Sequence, residues 1–169
     1  NEYPMRSGNY PTIDPKNPDK LTKEEEAIIE KLHQSFTSSE KLRGHIRSLL
    51  RPGCMYNIFN HNLLYHASIP LTKDGELKEV ELKPGLKLKG KELMYQTGML
   101  IRSAFQVPTD EEGEEERDYA IDYFLYLWCG PDSPLFDKDK MATFERYFIA
   151  DKETHQEEKG YYFSMRDDE

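Results

Sequence analysis

The stretch Met55-Tyr56-Asn57-Ile58-Phe59-Asn60-His61-Asn62-Leu63-Leu64-Tyr65-His66-Ala67-Ser68-Ile69-Pro70 decides how the chain is read. Two short apolar, aromatic-rich runs flank Asn60-His61-Asn62, and a turn-prone triplet between such runs predicts a β-hairpin. His66 falls at the C-terminal end of the second run. A strand that buries its apolar residues and presents one imidazole at its tip offers a neutral ring nitrogen to zinc, manganese or iron in a fixed direction. The pattern also fits a core histidine whose ring is hydrogen-bonded. The stretch alone leaves both readings open.

Upstream, Pro4, Pro11, Pro15 and Pro18 stand among polar residues, so residues 1–20 read as an extended linker. Thr22 and Glu25 have capping-box spacing and predict a helix with Ile28, Leu32 and Phe36 along one face. Thr37-Ser38-Ser39-Glu40 repeats that spacing, which should end the first helix and start a second. Leu42, Ile46, Leu49 and Leu50 line one face of the second helix, with His45 packed beside them, and Pro52-Gly53 closes it.

Downstream, Asp74-Gly75 and Pro84-Gly85 are turns around short strands near Leu77–Leu82 and Leu86–Leu88. Leu93, Thr97, Leu100, Ile101, Ala104 and Phe105 return to helical spacing until Pro108. The acidic run Asp110 to Glu116 reads as a solvated loop and the first turn of another helix, where negative charge suits the helix dipole. That helix spans about Glu114–Trp128, with Ala120, Phe124, Leu127 and Trp128 inward, and Cys129-Gly130-Pro131 breaks it. Met141, Phe144, Tyr147 and Phe148 form a short aromatic segment, and residues 151–169 form a charged, irregular tail. Residues 21–150 are therefore read as a mixed α/β body. It has a helical pair, a central β-hairpin with short strands, and further helices.

Composition narrows the classes. Of 169 residues, 37% are apolar and 33% charged, which is thin for a compact domain of this length. The net charge of −9 argues against broad nucleic-acid binding and against anionic membranes. No apolar run reaches bilayer length, and no secretory leader is read. The two cysteines, Cys54 and Cys129, read as reduced thiols of a cytoplasmic protein. Cys129 is expected to be a partly buried small hydrophobe. The chain opens Asn1-Glu2-Tyr3-Pro4 and closes Arg166-Asp167-Asp168-Glu169, and both ends read as cut from a longer protein.

Several machineries are missing from the sequence. There is no phosphate-cradling glycine loop, no nucleophile elbow and no Cys-x-x-Cys pair. His61 reads as a turn residue, and His33 and His155 as exposed. Lys41, Arg43, Arg47 and Arg51 cluster on the second helix, and Arg146 follows an aromatic run; arginine grips phosphate oxygens bidentately. Solvated charges and local ion pairs are the competing explanation for each of them.

Several stretches together resemble one family. They are Tyr10-Pro11-Thr12-Ile13-Asp14-Pro15; His33-Gln34-Ser35-Phe36; Ser39-Glu40-Lys41-Leu42 with His45-Ile46-Arg47; and Asn62-Leu63-Leu64-Tyr65-His66 with Ile69-Pro70-Leu71. The longest runs from Tyr126-Leu127-Trp128-Cys129-Gly130 through Ser133-Pro134-Leu135-Phe136, Lys138-Asp139-Lys140-Met141 and Thr143-Phe144-Glu145-Arg146-Tyr147-Phe148. In this order they resemble the class III fructose-1,6-bisphosphatases of bacteria, which belong with the calcineurin-like metallophosphoesterases. The resemblance implies hydrolysis of fructose 1,6-bisphosphate in gluconeogenesis, supported by divalent metal, typically manganese. It implies that His66 is one metal ligand, the strand-borne histidine of the family pattern. The family usually carries Gly and Cys after it, where this chain has Ala67 and Ser68, and usually a glycine where His61 stands. The Asp-x-His, Gly-Asp and Gly-Asn-His elements of that pattern do not occur here. A chain holding one ligand of several is expected to bind metal weakly and to be inactive alone. Arg146, Arg47 and Lys140 are the candidates for contacting substrate phosphate. Unpaired strand edges predict that the isolated chain self-associates as a homodimer. The alternative function is a non-catalytic acidic protein-interaction module.

Overall fold

The computed structural model describes residues 3–6, 8, 10–107 and 110–166. They fall into two compact units, Asn1–Gly53 with Phe148–Ala150 and Cys54–Tyr147 with Asp151–Glu169.

In the first unit, Thr22 caps helix α1 (Lys23–Thr37) with the full box. Its hydroxyl accepts from the Glu25 amide at 3.3 Å, and the Glu25 carboxylate accepts from the Thr22 amide at 2.8 Å. Helix α2 (Glu40–Leu50) is capped by Ser39, whose hydroxyl accepts from the Leu42 amide at 3.2 Å. The Thr37–Glu40 box does not form, because Thr37 is still helical and its hydroxyl donates back to the His33 carbonyl at 2.8 Å. Neither helix buries a residue, so Ile28, Leu32, Phe36 and Leu49 are exposed, and His45 is exposed rather than packed. The lead-in is tied down. The Arg6 amide donates to the Phe148 carbonyl at 2.7 Å, and the Tyr10 ring meets Phe148 edge-on.

In the second unit, strands β1 (Tyr56–Phe59) and β2 (Asn62–Tyr65) pair antiparallel from Tyr56↔Tyr65 to Phe59↔Asn62. Asn60 and His61 take φ of 49° and 61°, the positive-φ pair that a two-residue turn needs to follow the strand twist. Strands β3 (Val80–Lys83) and β4 (Leu86–Leu88) form a second antiparallel pair. The expected strand over Leu77–Leu82 thus begins later, and Leu77 makes only an isolated bridge to Leu71. Helix α3 (Gly90–Ser103) starts at a glycine with φ of +53°, where a side-chain carbon would stand 2.8 Å from Leu77 Cδ1. Pro108, expected to close this helix, lies outside the described residues.

Helix α4 (Glu111–Cys129) begins earlier than its apolar period suggests, because Asp110 caps it by accepting from the Gly113 amide at 2.8 Å. α3 packs on α4 and on β3. Val80, Leu82, Leu93, Leu100, Ala120 and Leu127 are the centre of that core. Two orientations on α4 correct the sequence reading. Trp128 is 47% exposed, and Tyr123 takes the inward place instead. Cys129 is exposed, its thiol donating to the Leu125 carbonyl at 3.2 Å. Helix α5 (Thr143–Phe148) occupies the aromatic segment. The tail carries a 3₁₀ turn, Lys152–His155, and a short helix α6 (Tyr161–Met165) where irregular chain was expected. Among the described residues, no helix is long and apolar enough to cross a membrane.

Candidate functional site

The site is built around the end of β2. The hairpin register sends the chain out of the sheet at Tyr65, and His66 follows it with its side chain exposed. The His66 ring is not sealed in hydrocarbon. It stands edge-on to the indole of Trp128, with centroids 5.8 Å apart and planes at 74°. The outward turn of Trp128 at the end of α4 is thus what gives His66 its wall.

Two residues on, the chain is anchored. The Ser68 amide donates to the Pro134 carbonyl at 3.1 Å, and its hydroxyl donates to Asp137 Oδ2 at 2.5 Å. Both side chains are buried, at 0% and 2% exposure. Burial pushes the Asp137 carboxyl above its ordinary value, while the Ser68 hydrogen bond pulls the other way. Asp137 takes φ of 51°, a left-handed conformation that aspartate tolerates better than most residues. Its carbonyl accepts from the Gly160 amide at 2.8 Å, which brings the tail against this loop. Tyr162 of the tail reaches β2 itself, its hydroxyl 2.5 Å from that of Tyr65. Desolvation first, then this contact, pushes Tyr65 up to about 12.

The tail also supplies Glu157, whose side chain is 5% exposed. One carboxylate oxygen accepts from the Ala142 amide at 2.9 Å. The other lies 3.0 Å from both Lys138 Nζ and Arg146 Nη2. The Ala142 amide, with the two cations, holds the Glu157 carboxyl down at about 2.

Of the residues singled out for phosphate, Arg146 is half-exposed, directed by Glu157 and by the His155 carbonyl at 3.5 Å. Lys140 is exposed, on the strip between Lys138 and Ala142. Arg47 is exposed on α2 and belongs to the first unit. Sequence reasoning missed Glu157 and Asp137. Glu157 is hidden in a run of charge, and only Gly160, a residue that permits close backbone approach, hinted at the Asp137 contact.

A second feature lies beneath the hairpin, a hollow of about 280 Å³ lined by Ile58, Leu63, Tyr65, Ile69, Leu77 and Met94 among others. Such a lining suits apolar groups and would desolvate a phosphate without compensation. Among the described residues, no group of three or more His, Cys, Asp or Glu side chains converges to hold a metal ion. His66, exposed at the strand end, could offer one ring nitrogen to a metal.

The family model described as Firmicute fructose-1,6-bisphosphatase matches residues 1–169. The class 3 fructose-1,6-bisphosphatase of Bacteroides fragilis is 55% identical over 168 residues, covering 99% of this chain and 25% of that protein. Proteins of the same name from Phocaeicola vulgatus and Alkaliphilus metalliredigens are 56% and 48% identical over the same shares. The chain spans about a quarter of the length of these curated relatives. No solved structure matches it at a significant level. On the strength of the full-length match, the chain belongs to the Firmicute fructose-1,6-bisphosphatase family.

Proposed function

We propose that the full-length protein hydrolyses fructose 1,6-bisphosphate to fructose 6-phosphate and phosphate in the cytoplasm, and that this chain supplies part of its metal centre. The observation that carries this reading is an exposed imidazole at a strand end, in a chain half-identical to proteins named for that reaction. The catalytic body is read as a calcineurin-like metallophosphoesterase fold, with residues 21–150 as its segment, 1–20 as linker and 151–169 as charged tail.

A divalent ion, manganese by preference, would polarise the phosphate and lower the pKa of a bound water. His66 would donate a ring nitrogen to it, with Trp128 restricting the ring's rotation. Arg146 and Lys140 would meet substrate phosphate from the 138–146 strip, with Glu157 fixing the direction of Arg146. Arg47, exposed on α2, is the remaining candidate for a phosphate contact. Holding one ligand of several, the isolated chain would be inactive and would pair through its open strand edges as a homodimer.

The test is His66→Ala in the full-length protein. Manganese affinity, measured by titration calorimetry, should fall at least about tenfold, together with bisphosphate hydrolysis. Unchanged manganese affinity would remove His66 from the centre. A strict monomer in sedimentation at high concentration would rule out the dimer of the isolated chain.

A further inference from the structure

We propose that the Ala142 amide, the Lys138 ammonium and the Arg146 guanidinium form a binding site for a phosphate monoester, and that the Glu157 carboxylate is its internal occupant, which the phosphate displaces. This rests on the reading of Arg146 as a phosphate contact, and adds Lys138 and the Ala142 amide to it.

Three donors converge on Glu157 from one short strip of chain. One carboxylate oxygen accepts from the Ala142 amide at 2.9 Å. The other is shared, standing 3.0 Å from Lys138 Nζ and 3.0 Å from Arg146 Nη2. Three donors thus meet two oxygens. A phosphate monoester presents three free oxygens, so each donor would have its own, and lysine and arginine bind such oxygens through charge-assisted hydrogen bonds. Charge points the same way. Lys138 and Arg146 bring two positive charges to one negative, and among the described residues neither lies within ion-pair distance of another carboxylate. Glu157 leaves one of those charges unbalanced, whereas a phosphate monoester carries about −1.5 to −2 near neutral pH.

The site is open to an incoming anion. Glu157 is nearly buried, but the Lys138 and Arg146 side chains are 27% and 49% exposed, so an anion meets both cations from the solvent side. The backbone beside Glu157 is held independently of its carboxylate. The Asp139 amide donates to the Glu158 carbonyl at 3.0 Å, and the Glu158 amide donates to Asp139 Oδ1 at 2.7 Å. The Glu157 side chain can therefore swing out while the tail stays seated. Until it does, it keeps the two cations converged, which lowers the ordering cost when the phosphate arrives.

The experiment is calorimetric titration of inorganic phosphate into the full-length protein near neutral pH. Glu157→Gln keeps the shape of the side chain and removes its charge, and should tighten phosphate binding at least about tenfold, because the competing like charge is gone. Adding Arg146→Ala to that variant should abolish the gain. Unchanged or weaker binding in Glu157→Gln would overturn the proposal. A gain that survives Arg146→Ala would overturn it as well, since the phosphate would then sit elsewhere. Should Glu157→Gln prevent folding, Glu157→Asp gives the same measurement, because its shorter side chain cannot span the amide and both cations. The reading of Arg146 as a contact for substrate is tested separately, by the KM for fructose 1,6-bisphosphate in Arg146→Ala. Tighter phosphate binding in Glu157→Gln with an unchanged KM in Arg146→Ala would keep the phosphate site and remove the substrate from it. A raised KM in Arg146→Ala with unchanged phosphate binding in Glu157→Gln would keep the substrate contact and remove the displacement.

Discussion

Asp137 and Gly160 stand so close that a side-chain carbon at residue 160 would collide with the Asp137 carboxylate. The carboxylate cannot retreat, because it is buried and holds the Ser68 hydroxyl. Gly160→Ala should therefore destabilise the fold by about 1–3 kcal/mol through overpacking. Equilibrium urea unfolding measures this, and an unchanged midpoint would show that the tail does not seat here.

Glu157 makes stability depend on acid in a defined direction. Its folded value of about 2 lies below that of an unfolded glutamate, about 4.3. The carboxylate thus stabilises the fold above the unfolded value, and that contribution is lost as pH falls through the folded one. Glu157→Gln should be less stable than the parent at pH 6, with the gap narrowing below about pH 4.3. Asp137, raised by burial, behaves oppositely: its contribution is fullest in acid and declines as pH rises through its shifted value. Unfolding midpoints from pH 7 to 3 would show opposite trends for Glu157→Gln and Asp137→Asn. Parallel trends would contradict the assignments.

Adjacent residues on α4 should behave differently. Leu127 is fully buried, and Leu127→Ala should cost about 2–5 kcal/mol, the range for a leucine deleted from a packed core. Trp128, though far larger, is 47% exposed, so Trp128→Ala should cost this unit clearly less. The reverse order in thermal or urea unfolding would mean that Trp128 points inward.

The first unit should open before the second. α1 and α2 bury no residue, while α3 buries Leu93, Met94, Leu100 and Ile101 among others. Amide hydrogen exchange followed by mass spectrometry should show α1 and α2 exchanging well ahead of α3. Thr22→Ala, which removes the capping box, should cost about 1 kcal/mol of α1 stability and speed its exchange further.

Local chemistry explains what the sequence made legible. Thr22 with Glu25 marks a helix start because both bonds span three residues. Asn60-His61 marks a hairpin because the turn needs two residues tolerant of positive φ. What stayed hidden depends on distant partners or on choices among near-equal local ones. Ser39 and Thr37 are both plausible caps, and only the backbone shows which is helical. Periodicity called Trp128 inward because the apolar arc of α4 is wide enough to accommodate either direction. At the site, His66 was visible from its place after the hairpin strand. The contacts along the neighbouring chain were not, because Ser68–Asp137, Lys138–Glu157 and Tyr65–Tyr162 join residues 69, 19 and 97 positions apart.

The longest of those separations sets a schedule for biosynthesis. Tyr65 leaves the ribosome 97 residues before Tyr162, the partner of its hydroxyl. At 5–20 residues per second, the open end of the hairpin waits roughly 5–20 s for that partner. Through this interval the open end of the hairpin is held by Tyr56 across the strand pair and then by the loop partners of Ser68, Pro134 and Asp137, so the tail is the last element to seat on it.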